Sequence, residues 1–257
     1  MAQNIKWTVL GCSAGNISTT RNSSGYILTV DDKQYLFDCG TGICSAYKRL
    51  GFNPENTNHL FLSHMHSDHC CELALFVQMM YAAKKESQLD IWVPSEAIDI
   101  IDKYLAACYL FKEKLKFNLI LNPIEGEIVI DDRNIKIAPI PNTHHQDEQS
   151  IISRYGYPNL RQCYSFRIGT SEKDILYSAD LGSLDDIAEH LKKVDLLIIE
   201  SMHIDLAALP GLCDKYGVGK ILLTHIGDDD LAKMTEFAAN AGPDRFIVAE
   251  DGLEIAL

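Results

Sequence analysis

The 257-residue chain contains no Pro/Gly/Ser-rich linker, no low-complexity segment and no block of like charge. That excludes a string of modules on flexible tethers. A single domain over residues 1–257 is the expectation, and a chain this long can bury a large core. No apolar run reaches the ~18 residues of a membrane span, and the start, Met1-Ala2-Gln3-Asn4-Ile5-Lys6-Trp7, lacks the basic residues and apolar core of a secretory signal. We therefore expect a soluble, cytoplasmic protein with no membrane partner. The eight cysteines include no Cys-x-x-Cys pair, and Cys70 and Cys71 are direct neighbours. This spacing suits neither a zinc ribbon nor a disulfide framework, so the cysteines read mostly as reduced, buried apolar residues. Basic residues are scarce, 23 Lys and Arg against 36 Asp and Glu, for a net charge of −13. Such a balance disfavours a broad nucleic-acid-binding surface. The only basic clusters, Lys84-Lys85 and Lys112/Lys114/Lys116, read as solvated faces.

What the chain has instead is a concentration of imidazole. The apolar run at 59–62 leads into Ser63-His64-Met65-His66-Ser67-Asp68-His69. An extended backbone turns alternate side chains to one side, so His64 and His66 can grip one cation. Asp68 and His69 are adjacent, and they face a common point only where the chain leaves the strand and turns into a helix.

Around this motif, apolar strand patterns fall at 5–10, 25–30, 34–38, 90–93, 117–121, 127–130, 135–139, 163–168, 174–178, 195–199, 221–223, 245–249 and 253–256. Helical patterns fall at 43–50, 71–84, 95–114, 183–191, within 206–216 and at 229–241. The stretch 71–84 is apolar almost all round, beyond what a one-sided amphipathic helix needs, and reads as a core helix or one with a face packed on a partner subunit or substrate. The polar segment 144–162 reads as a mobile loop over the site. The two halves also echo each other: Tyr35-Leu36-Phe37-Asp38 is similar to Ile175-Leu176-Tyr177-Ser178-Ala179-Asp180, and Leu60-Phe61-Leu62-Ser63-His64 to Ile221-Leu222-Leu223-Thr224-His225. Two β-rich halves with helices outside suggest a pair of packed sheets with the site at one edge.

Two close divalent cations need more donors than the first motif holds, and strand ends offer them: His144, Asp180 and His225. One arrangement places a cation on His64, His66 and His144 and a second on Asp68, His69 and His225. Asp180 would bridge, because each carboxylate oxygen can take one metal while its charge offsets their repulsion. Alternatives stay open: Asp180 as a helix N-cap, His225 as a surface strand end, His145 in place of His144. His59, His190 and His203 read as packing or surface residues, with His203 just past an apolar strand.

In these residues the sequence resembles the metallo-β-lactamase superfamily. The resemblance runs through Leu10-Gly11-Cys12-Ser13, Thr20-Arg21-Asn22-Ser23-Ser24, Leu36-Phe37-Asp38-Cys39-Gly40, the His64–His69 motif, His144, Asp180 and His225. It implies a four-layer αββα sandwich, two mixed sheets packed face to face with helices outside, and a two-zinc hydrolase centre. Iron-using redox members tend to carry Glu where this chain has His66, which argues for hydrolysis. Arg21-Asn22-Ser23-Ser24 and Phe37-Asp38-Cys39-Gly40 are most similar to the ribonuclease Z and phosphodiesterase branch. Two departures argue against transfer-RNA processing: Ile199 stands where the catalytic histidine of a His-Glu-Ala-Thr segment would be, and no Gly- and Pro-rich arm interrupts the second half.

The expected chemistry is hydrolysis by water shared between two Zn2+ (or Mn2+) ions, acidified to a bridging hydroxide near neutral pH. The resemblance gives Asp68 a proton-relay role beside metal binding. Asp38 would orient a ligand from behind, and His203 and Tyr155 are candidates for contacting the leaving group. The favoured substrate is a small or nucleotide-like phosphodiester. A carboxylic ester, lactone or thioester is the alternative, and a transfer-RNA ribonuclease or a non-catalytic metal-binding protein comes after it. A homodimer is expected from the 71–84 helix.

Overall fold

The computed structural model describes residues 3–132 and 134–257. The strands in chain order are β1 (Ile5–Gly11), β2 (Gly25–Val30), β3 (Lys33–Phe37), β4 (Thr57–Phe61), β5 (Leu89–Val93), β6 (Leu119–Pro123), β7 (Ile130–Asp131), β8 (Ile135–Pro141), β9 (Tyr164–Thr170), β10 (Asp174–Tyr177), β11 (Leu196–Glu200), β12 (Lys220–Thr224), β13 (Phe246–Val248) and β14 (Glu254–Ala256). The helices are α1 (Ile43–Arg49), α2 (Ser67–Cys70), α3 (Leu73–Ala82), α4 (Ile98–Ala107), α5 (Gln149–Tyr155), α6 (Asp185–Ala188), α7 (Leu209–Tyr216) and α8 (Leu231–Ala241). Backbone contacts divide the chain into two compact units, 3–124 with 250–256, and 125–249.

The first unit holds one seven-stranded mixed sheet in the order β14-β1-β2-β3-β4-β5-β6. Its first three pairings are antiparallel and its last three parallel. The second holds a seven-stranded sheet in the order β7-β8-β9-β10-β11-β12-β13, again three antiparallel pairings followed by three parallel ones. The topologies therefore repeat, with β3 corresponding to β10 and β4 to β11. The echo of 35–38 in 175–180 matches this correspondence. The echo of 60–64 in 221–225 does not, because β12 lies one strand further across its sheet than β4 does in its own.

Each unit has its own core. In the first, Leu36, Leu60, Ile91 and Leu119 from successive parallel strands pack with Ile43, Tyr47, Phe76 and Met80 of α1 and α3. In the second, Leu176, Leu197, Ile199, Ile221 and Leu223 pack with Leu209, Cys213 and Ala238 of α7 and α8. The strand Leu196–Glu200 is buried throughout, and a central parallel strand covered on both faces needs such a continuous apolar run. Each fully buried Leu or Ile contributes about 1.5–3 kcal/mol, so β11 is held firmly in the middle of its sheet.

Several expected elements differ. The helix read over 95–114 is a 3-10 turn at Ser95–Ala97, α4 and a second 3-10 turn at Lys112–Lys114. It breaks because Tyr109 enters the left-handed region at φ 60°. The stretch 71–84 is helical as α3, two residues shorter at each end than read, and leaves Leu75 49% exposed. The segment 144–162 is not a plain loop: it contains a 3-10 turn and α5, which Gly156 ends in left-handed conformation. Lys85, read as part of a solvated face, is buried and donates to Pro54 O, Asn58 Oδ1 and Ser87 Oγ at 2.7, 2.9 and 2.6 Å. Burial lowers its pKa to about 8.

Candidate metal centre

In the first unit the candidate residues gather where β3 and β4 end. Asp38, one residue past β3, is buried and lies at φ 59°, in the left-handed region that Asp tolerates better than most residues. Its carboxylate accepts the Ser63 backbone N–H on Oδ1 (2.8 Å) and both the Ser63 hydroxyl (2.9 Å) and His69 Nδ1 (2.8 Å) on Oδ2. A proton held on Nδ1 by a carboxylate makes Nε2 the nitrogen suited to a metal. His64 is placed similarly, with Nδ1 3.0 Å from Ser63 Oγ.

After β4 the chain bends at Ser63; His66 is extended, and the chain then turns into α2, whose first turn carries Asp68 and His69. The His64 ring lies 4.7 Å from that of His66 and 4.2 Å from that of His69, centroid to centroid. Asp68 Oδ2 stands 3.5 Å from His69 Nε2. All four candidate side chains of the motif thus come together.

The loop after β3 explains why this turn is stable. Cys39 N–H donates to His69 O (2.7 Å) and Glu72 N–H to Cys39 O (3.0 Å). The Glu72 carboxylate accepts from Gly42 N and Cys44 N at 2.7 and 2.8 Å, capping the start of α1. Gly40 is required by the close approach, since a Cβ there would lie 2.0 Å from Asp68 O. Burial pushes the Cys70 thiol up to about 12.

In the second unit the same logic recurs at the ends of β8, β10 and β12. Asp180 is buried, and its Oδ2 stands 3.7 Å from His144 Nε2 and 3.3 Å from His225 Nε2. Sharp turns aim these groups: Ala179 lies at φ 49° and His225 at φ 53°. Such backbone costs about 1–3 kcal/mol per residue and clusters at functional sites. Asp180 does not cap α6, whose N-cap position is Leu184; Asp186, inside the helix, reaches back to accept from Gly182 N and Ser183 N (2.9 and 3.2 Å) and from the Thr143 hydroxyl. Thr143 is thereby tied to the turn after Asp180, which sets His144 beside that carboxylate. The His145 ring lies 4.9 Å from that of His144.

His203 joins this second set, its ring 4.9 Å from that of His144 and 6.1 Å from that of His225. Glu200, buried at the end of β11, accepts from Met202 N and His203 N and stands 3.5 Å from His203 Nδ1. Sequence reasoning missed Glu200 as a positioning group. The available signal was a carboxylate closing an otherwise apolar strand, Leu-Leu-Ile-Ile-Glu. Tyr155, the other leaving-group candidate, is 63% exposed on α5 and stacks with Arg154.

A ribonuclease Z of Parabacteroides distasonis is 29% identical over 141 residues, covering 53% of this chain and 45% of that protein. The chain thus spans under half the length of that curated relative. Among solved structures, the metallo-β-lactamase fold protein YhfI of Bacillus subtilis superposes with a TM-score of 0.76 at 21% identity, covering 99% of this chain and all of that one. The short form of human tRNase Z, ELAC1, superposes with a TM-score of 0.77 at 17% identity, covering 97% and 98%. The fold is therefore the metallo-β-lactamase fold, as the sequence resemblance implied, and the likeness lies on the ribonuclease Z side of the superfamily. The profile of the family described as anti-Pycsar protein Apyc1 matches residues 5–247, nearly the whole chain, and the chain belongs to that family.

Proposed function

We propose that the chain is a dinuclear-metal phosphodiesterase, with zinc the favoured ion and manganese the alternative, acting on a small or nucleotide-like phosphate ester. The observation that carries this reading is that metal-donor side chains gather at the strand ends of both units, His64, His66, Asp68 and His69 in one and His144, Asp180 and His225 in the other. The donor chemistry fits: five imidazoles and two carboxylates suit zinc or manganese. In our assignment, made from the order of the donors along the sequence, His64, His66 and His144 hold one ion and Asp68, His69 and His225 the other, with Asp180 shared.

Bound ions would acidify water toward neutral pH and take up charge on the ester oxygens. The chain's own groups do the rest. Asp68, at the start of α2, accepts a proton from the attacking water. His203, held by Glu200, donates one to the departing oxygen. Asp38 keeps His69 in the tautomer that presents Nε2.

Transfer-RNA processing is the second reading, favoured by the ribonuclease Z relatives and opposed by the net charge of −13. Elemental analysis of the purified protein and of His66→Ala tests the centre; about two ions per chain, reduced in the variant, are expected. A panel of bis-p-nitrophenyl phosphate, cyclic mononucleotides, precursor transfer RNA, a lactone and a thioester then ranks the substrates. Full metal loading with turnover of the lactone or thioester alone would overturn the phosphodiesterase reading.

Among the described residues no helix is long and apolar enough to cross a membrane, and all eight cysteines are free thiols, which supports a reducing, cytoplasmic setting. Exposed Leu75 on α3 and Ile100 and Tyr104 on α4 support a homodimer, to be checked by sedimentation equilibrium.

A further inference from the structure

Asp251 lies in the turn before β14, within the first unit. The turn is pinned to β1 from both sides, Gly252 N–H donating to Val9 O and Val9 N–H to Leu253 O at 2.8 and 2.9 Å. So fixed, the Asp251 carboxylate accepts the Asn22 N–H on Oδ2 (2.7 Å) and the Cys12 thiol on Oδ1 (3.4 Å). Asn22 passes the constraint on. Its carbonyl accepts from Ser13 N (2.9 Å) and its side-chain amide donates to Leu10 O (2.8 Å), while a Cβ on Gly42 would come 2.1 Å from its Oδ1. The next two residues bond to the loop after β3: Ser23 N–H donates to Thr41 O, and Gly40 N–H to Ser24 O, both at 3.0 Å. That loop meets the metal motif. A Cβ on Gly40 would stand 2.0 Å from Asp68 O, and Cys39 N–H donates to His69 O at 2.7 Å. Gly15, in the 12–22 loop, comes up to the Asp68 carboxylate itself, where a Cβ would stand 3.5 Å from Oδ2.

We propose that Asp251 is a positioning residue for Asp68 and His69, acting through Asn22 on the two loops, 12–24 and 38–42, that contact them. The proposal rests on the reading of these residues as a metal centre. Two physical reasons carry it. A hydrogen bond from an N–H to a carboxylate is about twice as strong as one between neutral groups. The approaches at Gly42 and Gly40 are also too close to admit a methyl group, and close-packed contacts pass a displacement on instead of absorbing it. Loss of the carboxylate therefore reaches Asp68 and His69 as a small shift, and a misplacement of about 1 Å can cost about 10²-fold in rate.

The test compares wild type, Asp251→Ala, Asn22→Ala and Lys85→Met, each loaded with cobalt(II), whose visible spectrum follows its coordination geometry. Asn22→Ala removes the amide that lies on Gly42 but leaves the Asn22 N–H on Asp251, and it decides the matter should Asp251→Ala not fold. Lys85→Met is the control for lost stability away from the centre. Asp251→Ala and Asn22→Ala are expected to alter the visible band and to weaken cobalt binding about tenfold. At saturating metal, kcat on bis-p-nitrophenyl phosphate should fall about 10–10²-fold with KM within about twofold of wild type. Lys85→Met should keep the wild-type band and affinity.

Wild-type spectra and affinities in both loop variants overturn the proposal, and so does the same spectral change in Lys85→Met. The phosphodiesterase reading is judged separately. Altered spectra in the loop variants, with no ester turned over even by the wild type, support the positioning role and refute the phosphodiesterase. Wild-type turnover with unchanged spectra, affinities and kcat in the variants refutes the positioning role alone. A wild-type protein that binds no cobalt and no zinc overturns both.

Discussion

Replacing Asp38 with Asn alters the candidate centre through one proton. Asp38 Oδ1 accepts a backbone N–H, from Ser63, which cannot reverse its role. An asparagine must therefore keep its oxygen there and present its NH2 where Oδ2 now accepts from the Ser63 hydroxyl and His69 Nδ1. The hydroxyl can rotate, but imidazole can face a donor only by moving its proton from Nδ1 to Nε2. His69 is then protonated on the nitrogen that would bind metal. Backbone strain does not change, because Asn tolerates the left-handed φ of 59° found at position 38. Loss of such an outer partner costs about 10–100-fold in metal affinity, or about 1.4–2.8 kcal/mol. Competition with a chromogenic zinc chelator, run beside circular dichroism of the metal-free protein, measures it. A folded Asp38→Asn protein that binds zinc within about twofold of wild type would refute the tautomer argument, since a tenfold loss is its lower bound.

Other outcomes follow from the same contacts. Gly182→Ala would place a Cβ 2.2 Å from Thr143 Oγ1 and 2.8 Å from Thr143 C; it should destabilise the protein by about 1–3 kcal/mol in urea unfolding and lower metal content, because His144 follows directly. Glu200→Gln should reduce kcat about 10²-fold with metal content retained. An unchanged kcat would mean that Glu200 acts only on the backbone of 202–203. Lys85→Met leaves three oxygens without their ammonium donor; a loss of about 1–3 kcal/mol is expected in the denaturation midpoint, with metal affinity unaffected.

The sequence by itself determined which superfamily the chain resembles and where donor side chains fall along it. Those features are local: an apolar strand of fixed length ending in a sharp polar turn is written in consecutive residues, and so is the His64–His69 order. The mixed sheets were legible for the same reason, since alternation and turn residues report on a few neighbours at a time.

Tertiary structure decided what depends on residues far apart. Tyr109 takes a left-handed turn that ends α4 although the helical pattern continues past it. Lys85 carries no local sign of burial, and its acceptors come from residues 54, 58 and 87. Glu200 and His203 are close in sequence, yet their joint role depends on His144 and His225 arriving from other strands. The repeat also needed the sheet order: by sequence β4 matches β12, and only the hydrogen-bonded pairing makes β11 its counterpart. Whether a side chain is buried, paired or aimed at a site is set by elements joined through long-range packing, and short-range patterns carry no record of that packing.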